Sequence, residues 1–494
     1  MRAVLGFSPL PAFDPILPRG SRLKSIAPHT PFARPARFFG SFVAAAAVLF
    51  AMQTPAPAPS FAEPHRLADT TIVDSWQLQN GLRVVTRDIR RAPGVSVTLA
   101  FGTGSEQDPQ GREGRALLLA HAAFLSAAGE FPQRSLAELE KARPLGWRIE
   151  VGRRHTRLTE VATIEQFPGV LHQFAQRLGS LKPAAPGLAA AKKGVTSQLS
   201  ENYRGQLAVA LSYQVRELGA PGGYEGALAY AAGKGVEAAT LREVQDALGA
   251  LYIPANAVLS LAGNLSGSGI EVKRAIEGEF GGIAGGTRAP ETPAQPIVPG
   301  FKIVERTGID RPFGVIGLIA PALSDTTHPS FYMHSLLVGA HLIRGWGRSE
   351  QIPSPFQYSL LDDPEMLRFY PPITPSDVDS LRIRESYNEG ILALSRTAIT
   401  RDEYSQLHAS VVWMLGGPMN LDLRPRARTD PGVLAALSTT AAMRELWGGE
   451  AFWAPYRERF IAVDRPEFAR WSDYFLSPGH QVQVMFAPEY LIPK

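Results

Sequence analysis

The 494-residue chain contains no cysteine. That excludes disulfide staples, thiolate-bound zinc and thiol catalysis. Stability is left to the apolar core, for which a chain of this length has ample material. Strong net charge is also missing. The formal charge is +4, but residues 1–62 hold six Lys/Arg (Arg2, Arg19, Arg22, Lys24, Arg34, Arg37) and a single acid, Asp14. The remainder carries 44 basic and 45 acidic residues, a balance that offers no basic surface to nucleic acid. Neither a G-x-S-x-G elbow nor a P-loop occurs. The notable long apolar run is FFGSFVAAAAVLFAM, Phe38 to Met52. It is short for a bilayer span and has the length of a signal-peptide core.

A basic segment ending in ARPARFFG precedes that run, and TPAPAPSFAEP follows it with a small-x-small cleavage site at Ser60-Phe61-Ala62. Residues 1–62 therefore read as a leader that directs export to a bacterial periplasm or beyond. The long basic stretch fits a translation start further in. An Arg-rich, acid-poor leader also keeps mitochondrial import as an alternative, with an uncleaved anchor as a third.

Beyond the leader, Asn80-Gly81 between two β-rich runs gives a hairpin signal. A third strand is expected over Val95 to Phe101, a helix from Glu113 to Ala128, and a hairpin from Trp147 to Val151 and Thr156 to Thr163. Long helices are expected over Phe167 to Leu178 and Leu188 to Glu217, the latter broken near Gly205. Residues 283–300, rich in Gly, Pro and Ala, read as a linker. After it the order begins again: strands at Lys302 to Arg306 and Phe313 to Ile319, a helix from Pro329, short strands near Tyr358 and Met366, more helices, and a last strand at Gln481 to Phe486. Repetition of one order predicts a duplicated α+β chain. Each half-domain (70–282 and 301–490) would be an antiparallel-rich sheet with helices packed on one face.

The segment Leu78-Gln79-Asn80-Gly81-Leu82-Arg83-Val84-Val85 matches an L-x-N-G-L-x-V-V opening. Gly104, Ser105, Gly114 and Ala116 follow at the spacing of a G-S-x-x-E-x-x-x-x-x-G-x-A-H segment, with Asp108 at its glutamate. On these residues the chain resembles the M16 (insulinase/pitrilysin) metallopeptidases, a family that includes the mitochondrial processing peptidases. The resemblance runs from about residue 70 to 490. It implies an H-x-x-E-H zinc motif on a helix, with a third ligand, a glutamate, some 75 to 80 residues later. In this sequence Leu117 stands at the first histidine, Ala120 at the glutamate that activates water, and His121 at the second histidine. Phe124 matches the aromatic that follows. The window for the third ligand is Thr196 to Glu201, where helix phasing favours Gln198 or Leu199 and Glu201 is the only acid.

Catalytic zinc needs three protein ligands and an open position. The resemblance therefore implies a subunit that has lost the metal and its general base, with His121 a core or remnant histidine. His328, His334 and His341 are expected to be isolated; His334 and His341 lie about 10 Å apart along a straight helix, too far for one ion. No cofactor is expected in this chain, and zinc is expected in a partner.

Active relatives carry an R-x-x-x-G-L-x-Y pattern in the second half. Arg348 and Tyr358, ten residues apart, are the candidates to bind substrate here, through a guanidinium and a phenol aimed at the peptide backbone. The expected partners are a zinc-bearing M16 homologue, as a heterodimer, and a peptide substrate. No nucleic acid is expected, and no membrane contact beyond the leader. A stand-alone binding or scaffolding protein with this fold is the alternative. Arg153, Arg154 and His155 at a hairpin tip, and the run Arg424, Arg426 and Arg428, are expected to be solvated.

Overall fold

The computed structural model describes residues 72–109, 111–220, 235–288, 296–336, 356–370, 400–416, 430–467 and 477–489. The leader, His341, Arg348 and the Arg424–Arg428 run lie outside the described residues.

The first strands, β1 (Ile72–Gln77) and β2 (Arg83–Asp88), pair antiparallel around the Asn80-Gly81 turn. Gly81 takes φ +89°, a left-handed conformation open to glycine. Asn80 locks the turn from both ends. Its Oδ1 accepts from Leu82 N, and its Nδ2 donates to the carbonyls of Phe280 and Ile283, 200 residues later. Strand β3 (Gly94–Phe101) leads to helix α1 (Arg115–Leu125), a two-residue strand β4 (Ala127–Ala128) and α2 (Leu136–Ala142). Then come the hairpin β5 (Trp147–Val151) and β6 (Thr156–Thr163), helix α3 (Phe167–Gly179), the short β7 (Leu181–Lys182), α4 (Ala185–Gly205) and α5 (Leu207–Gly219). Helix α6 (Leu241–Leu251), β8 (Ala257–Gly263) and α7 (Val272–Phe280) complete the first half. The second half holds β9 (Gly300–Glu305), β10 (Phe313–Ile319), the hairpin β11 (Phe356–Ser359) and β12 (Asp363–Phe369), α8 (Arg401–Gly416), α9 (Pro431–Leu446), α10 (Gly449–Ala462) and β13 (Gln481–Ala487).

Duplication is visible in the sheets. The first runs β1-β2-β8-β3-β6-β5 and the second β9-β13-β10-β12-β11. Without β1 the two orders correspond strand for strand. In each, the last strand of the half inserts parallel to the first and antiparallel to the second.

The faces of β3 show how each sheet is covered. Side chains alternate along a strand: Val95, Val97, Leu99 and Phe101 join the large first-half core beneath α1 and α3. The opposite face carries Ser96, Thr98 and Ala100, small residues against which α9 of the second half lies. Ser438 Oγ is 2.7 Å from Ser96 Oγ and 2.8 Å from Thr98 Oγ1, while Ala442 and Met443 pack on Ala100 and Val258. The exchange is mutual. Helix α5 of the first half places Ala208, Leu211 and Val215 against Phe313, Val315, Val482 and Val484 of the second sheet. Each half's own helices cover one face, as the sequence suggests, and the other face is closed by a helix from the opposite half.

The corresponding hairpins, β5–β6 and β11–β12, meet where the halves adjoin. Arg153 and Arg154 both pair with Glu106 of the first half and Glu365 of the second, and Arg157 reaches Asp362 at 2.5 Å. Trp447 Nε1 donates to Leu361 O at 2.9 Å, and the Trp447 ring receives Arg154 at 5.6 Å. The expectation of a solvated Arg153-Arg154-His155 tip is thus corrected: Arg153 and His155 are buried, because the tip is the seam between halves.

Candidate functional site at the contact of two helices

Helix α1 begins at Gly114 (φ +91°), and its first N–H groups are met from the preceding loop. Asp108 accepts from Gly114 N at 3.0 Å and Ala116 N at 2.8 Å, a carboxylate at the positive end of the helix. Burial pushes the Asp108 carboxyl up to about 7 against the pull of those donors and of Arg115. Asp108 thus serves the helix start. Observed ends at Arg115 and Leu125 lie inside the sequence estimate because Ser126 turns extended and Ala127–Ala128 pair with β7.

Helix α1 packs on α4, and His121 and Gln198 meet there. His121 Nε2 is 3.2 Å from Gln198 Oε1, so this pairing places the imidazole proton on Nε2. Around them are Leu117, Ala120, Val195 and Leu199, all buried in the first-half core. His121 is 4% exposed, and burial pushes it down to about 4, with the Gln198 bond opposing; the ring is neutral at pH 7. Its Nδ1 is buried without a hydrogen-bond partner.

These side chains do not fit a zinc ion. Leu117 and Ala120 have no lone pair, and the donor set is one imidazole nitrogen and one amide oxygen where three ligands are needed. Ala120 also offers no group to take a proton from water. Among the described residues no cluster of three His, Asp or Glu could hold a metal. The side chain of Glu201 lies outside the described residues.

In the second half, His328 is wholly buried between two phenols, its Nδ1 2.8 Å from Tyr456 Oη and its Nε2 2.9 Å from Tyr358 Oη. Burial pushes His328 down to about 3. Tyr358 Oη also donates to Pro364 O at 2.9 Å. The Tyr358 hydroxyl, expected to face substrate, is engaged here by His328 and Pro364 inside the core. His334 is buried separately. Arg348 lies outside the described residues.

No protein-family model and no curated protein matches this sequence. Solved structures do match. A protease from Helicobacter pylori is 16% identical, with 85% of this chain and 100% of that chain aligned at TM-score 0.66. A peptidase M16 inactive domain from Pseudomonas fluorescens is 17% identical over 84% of this chain and 98% of that one, at TM-score 0.59. This chain has the M16 peptidase fold. The periplasmic protease PqqL from Escherichia coli shares that fold at 14% identity and TM-score 0.60; 85% of this chain covers 49% of PqqL, so the M16-type unit seen here spans about half of that protein.

Proposed function

We propose that this chain is a non-catalytic M16-type subunit that pairs with a zinc-bearing homologue to enclose a chamber in which peptides are cleaved. The observation that carries the proposal is the side-chain set at the α1–α4 contact: Leu117, Ala120, and the neutral pair His121–Gln198. A chain with this fold and these residues can line a cavity but lacks ligands and base for zinc hydrolysis. That it matches one half of PqqL supports a role needing a second half-molecule. In this reading the zinc belongs to the partner and this chain holds no cofactor. Arg348 offers charge-assisted donors to the substrate, while Tyr358 stays in the core. The leader, and the periplasmic setting of PqqL, support export to the periplasm.

The test is to express the chain alone and with an M16 homologue carrying an intact H-x-x-E-H motif. Co-elution, zinc content and peptide hydrolysis are then measured. The expected result is no zinc and no hydrolysis for the chain alone, a stable mixed complex, and hydrolysis reduced by Arg348→Ala in this chain. Stoichiometric zinc with chelator-sensitive hydrolysis by the chain alone would overturn the proposal.

The engagement of Tyr358 by His328 and Pro364 favours a second reading, a stand-alone binding or scaffolding protein. A chain that remains free of every zinc-bearing homologue in the same co-elution experiment supports that alternative.

A further inference from the structure

His172 on α3 stands between two carboxylates from different elements. Its Nδ1 is 2.6 Å from Glu279 Oε2, in the last turn of α7, and its Nε2 is 3.4 Å from Glu130 Oε1. Glu130 belongs to the turn that follows β4, on the connection from α1 to α2. Ala128 and Phe131 exchange backbone hydrogen bonds of 2.9 Å around it, and Gly129 opens it at φ +56°. The turn lies directly on α3. A Cβ at Gly129 would meet Gln176 Oε1, one helical turn beyond His172, and the Phe131 ring centre is 5.6 Å from that of the imidazole. Gly129 N donates to Ser180 O at 3.0 Å, and Lys182 Nζ of β7 donates to Gly129 O at 3.3 Å.

A neutral imidazole has one N–H and one lone pair. With the proton on Nδ1 it serves Glu279 and turns the Nε2 lone pair on the Glu130 carboxylate; the other tautomer reverses the conflict. The imidazolium, with two N–H groups, satisfies both carboxylates at once. The charged groups that meet the ring are Glu279 from α7 and Glu130 from the turn, while Lys182 of β7 reaches the same turn. The Glu279 hydrogen bond, with Glu130 adding to it, holds the imidazole above its usual value against the cost of burial. A raised histidine contributes fully below its unfolded value, about 6.5, and loses that contribution as pH rises through the folded value. The His172 side chain is 32% exposed and that of Glu130 73%, so each arm has the modest strength of a surface pair.

We propose that His172 is a proton-operated latch: doubly protonated, it ties the Gly129–Phe131 turn through α3 to α7, and on losing one proton it keeps Glu279 and frees Glu130. The parts so joined are the connection that leaves the His121 helix and the helix that leads out of the first half. The latched state prevails on the acid side of neutrality, whether or not the chain pairs with a peptidase.

Nuclear magnetic resonance of the full chain with nitrogen-15-labelled histidine tests this, the His172 signals being assigned by their loss in His172→Gln. His172 is expected to titrate above 6.5, and Glu130→Gln to lower its midpoint by about half a unit. Hydrogen exchange of the Ala128 amide, which closes the turn on Phe131 O, reads the latch itself. With the intrinsic pH dependence divided out, its protection should fall about threefold between pH 6 and pH 8, and Glu130→Gln should abolish that dependence. Glu130 is a surface side chain, so the variant folds. A His172 midpoint unmoved by Glu130→Gln, or equal Ala128 protection at the two pH values in the wild type, overturns the proposal.

Discussion

Glu365 is the carboxylate on which the seam between halves converges, and replacing it with glutamine is the most direct perturbation of that seam. In the native chain it pairs with Arg153 and Arg154 of the first half, and Arg216 Nη1 lies 3.9 Å away. Burial pushes the Glu365 carboxyl up, but Arg153 and Arg154 outweigh it and hold it below its usual value. Glu365→Gln keeps the shape and removes the carboxylate charge that Arg153, Arg154 and Arg216 share. Stripping one partner from a fully buried pair costs about 3–5 kcal/mol, against about 0–1 kcal/mol for an exposed pair. With 16% of the Glu365 side chain exposed, a loss of about 2–4 kcal/mol is expected at pH 7. Urea unfolding followed by tryptophan emission is a suitable assay, because Trp447 sits at the seam. The sign with pH is fixed by the lowered carboxyl. Its contribution is present above the unfolded value, about 4.5, and is lost as pH falls through the lower folded value. Wild type and variant should therefore converge in acid. A difference below about 0.5 kcal/mol at pH 7, in the range of ordinary surface substitutions, would refute the idea that charge holds the halves together.

Gln198→Leu leaves both nitrogens of buried His121 unmet and should cost about 1–3 kcal/mol. The double change His121→Leu/Gln198→Leu should recover most of that in the same urea assay, and equal losses for both would contradict the neutral-pair reading. His121, His155 and His328, pushed by burial down to about 4, 3 and 3, resist protonation in the fold but not in the unfolded chain. Their contribution to stability should be flat above pH 6.5 and fall toward pH 4, by up to about 1.4 kcal/mol per histidine per pH unit, offset for about one histidine by Asp108, whose raised carboxyl takes its proton in the fold first; unfolding curves that coincide at pH 7.5 and 5.0 would rule this out. Gly104→Ala would place a Cβ 2.4 Å from Arg153 O. Displacing that backbone should cost about 1–3 kcal/mol and lower the unfolding midpoint, whereas an unchanged midpoint would mean the seam loop yields freely.

Features written in neighbouring residues were legible in the sequence. The Asn80-Gly81 turn, the strands Trp147–Val151 and Thr156–Thr163, and the helix break at Gly205 all appear where residue pattern places them. The repeated order of elements reappears as two sheets of one topology. Helix phasing left Gln198 or Leu199 for the position facing His121, and the structure has Gln198 there. What was not legible depends on residues far apart in the chain. Arg153 and Arg154 look like a solvated tip because Glu365 lies more than 200 residues away. Tyr358 looks available because its partner His328 belongs to another element. The one local trace of the exchanged helix was the small, polar alternate face of β3, Ser96, Thr98 and Ala100, which only makes sense once Ser438 is beside it.

That exchange also sets the order in which the chain can finish folding. The bond between Ser96 and Ser438 spans 342 residues, which at about 5–20 residues per second of synthesis is a wait of roughly 20–70 s. Until α9 is made, β3 and β8 present a face built to be covered and have nothing to cover it. The first half is therefore no free-standing domain, although its other face and its core are complete. A product truncated before residue 431 would expose a flat, small-residue sheet surface suited to sticking to its own kind. The same geometry lets two complete chains trade α5 or α9, so domain-exchanged dimers are the misassembly to which this architecture is most open.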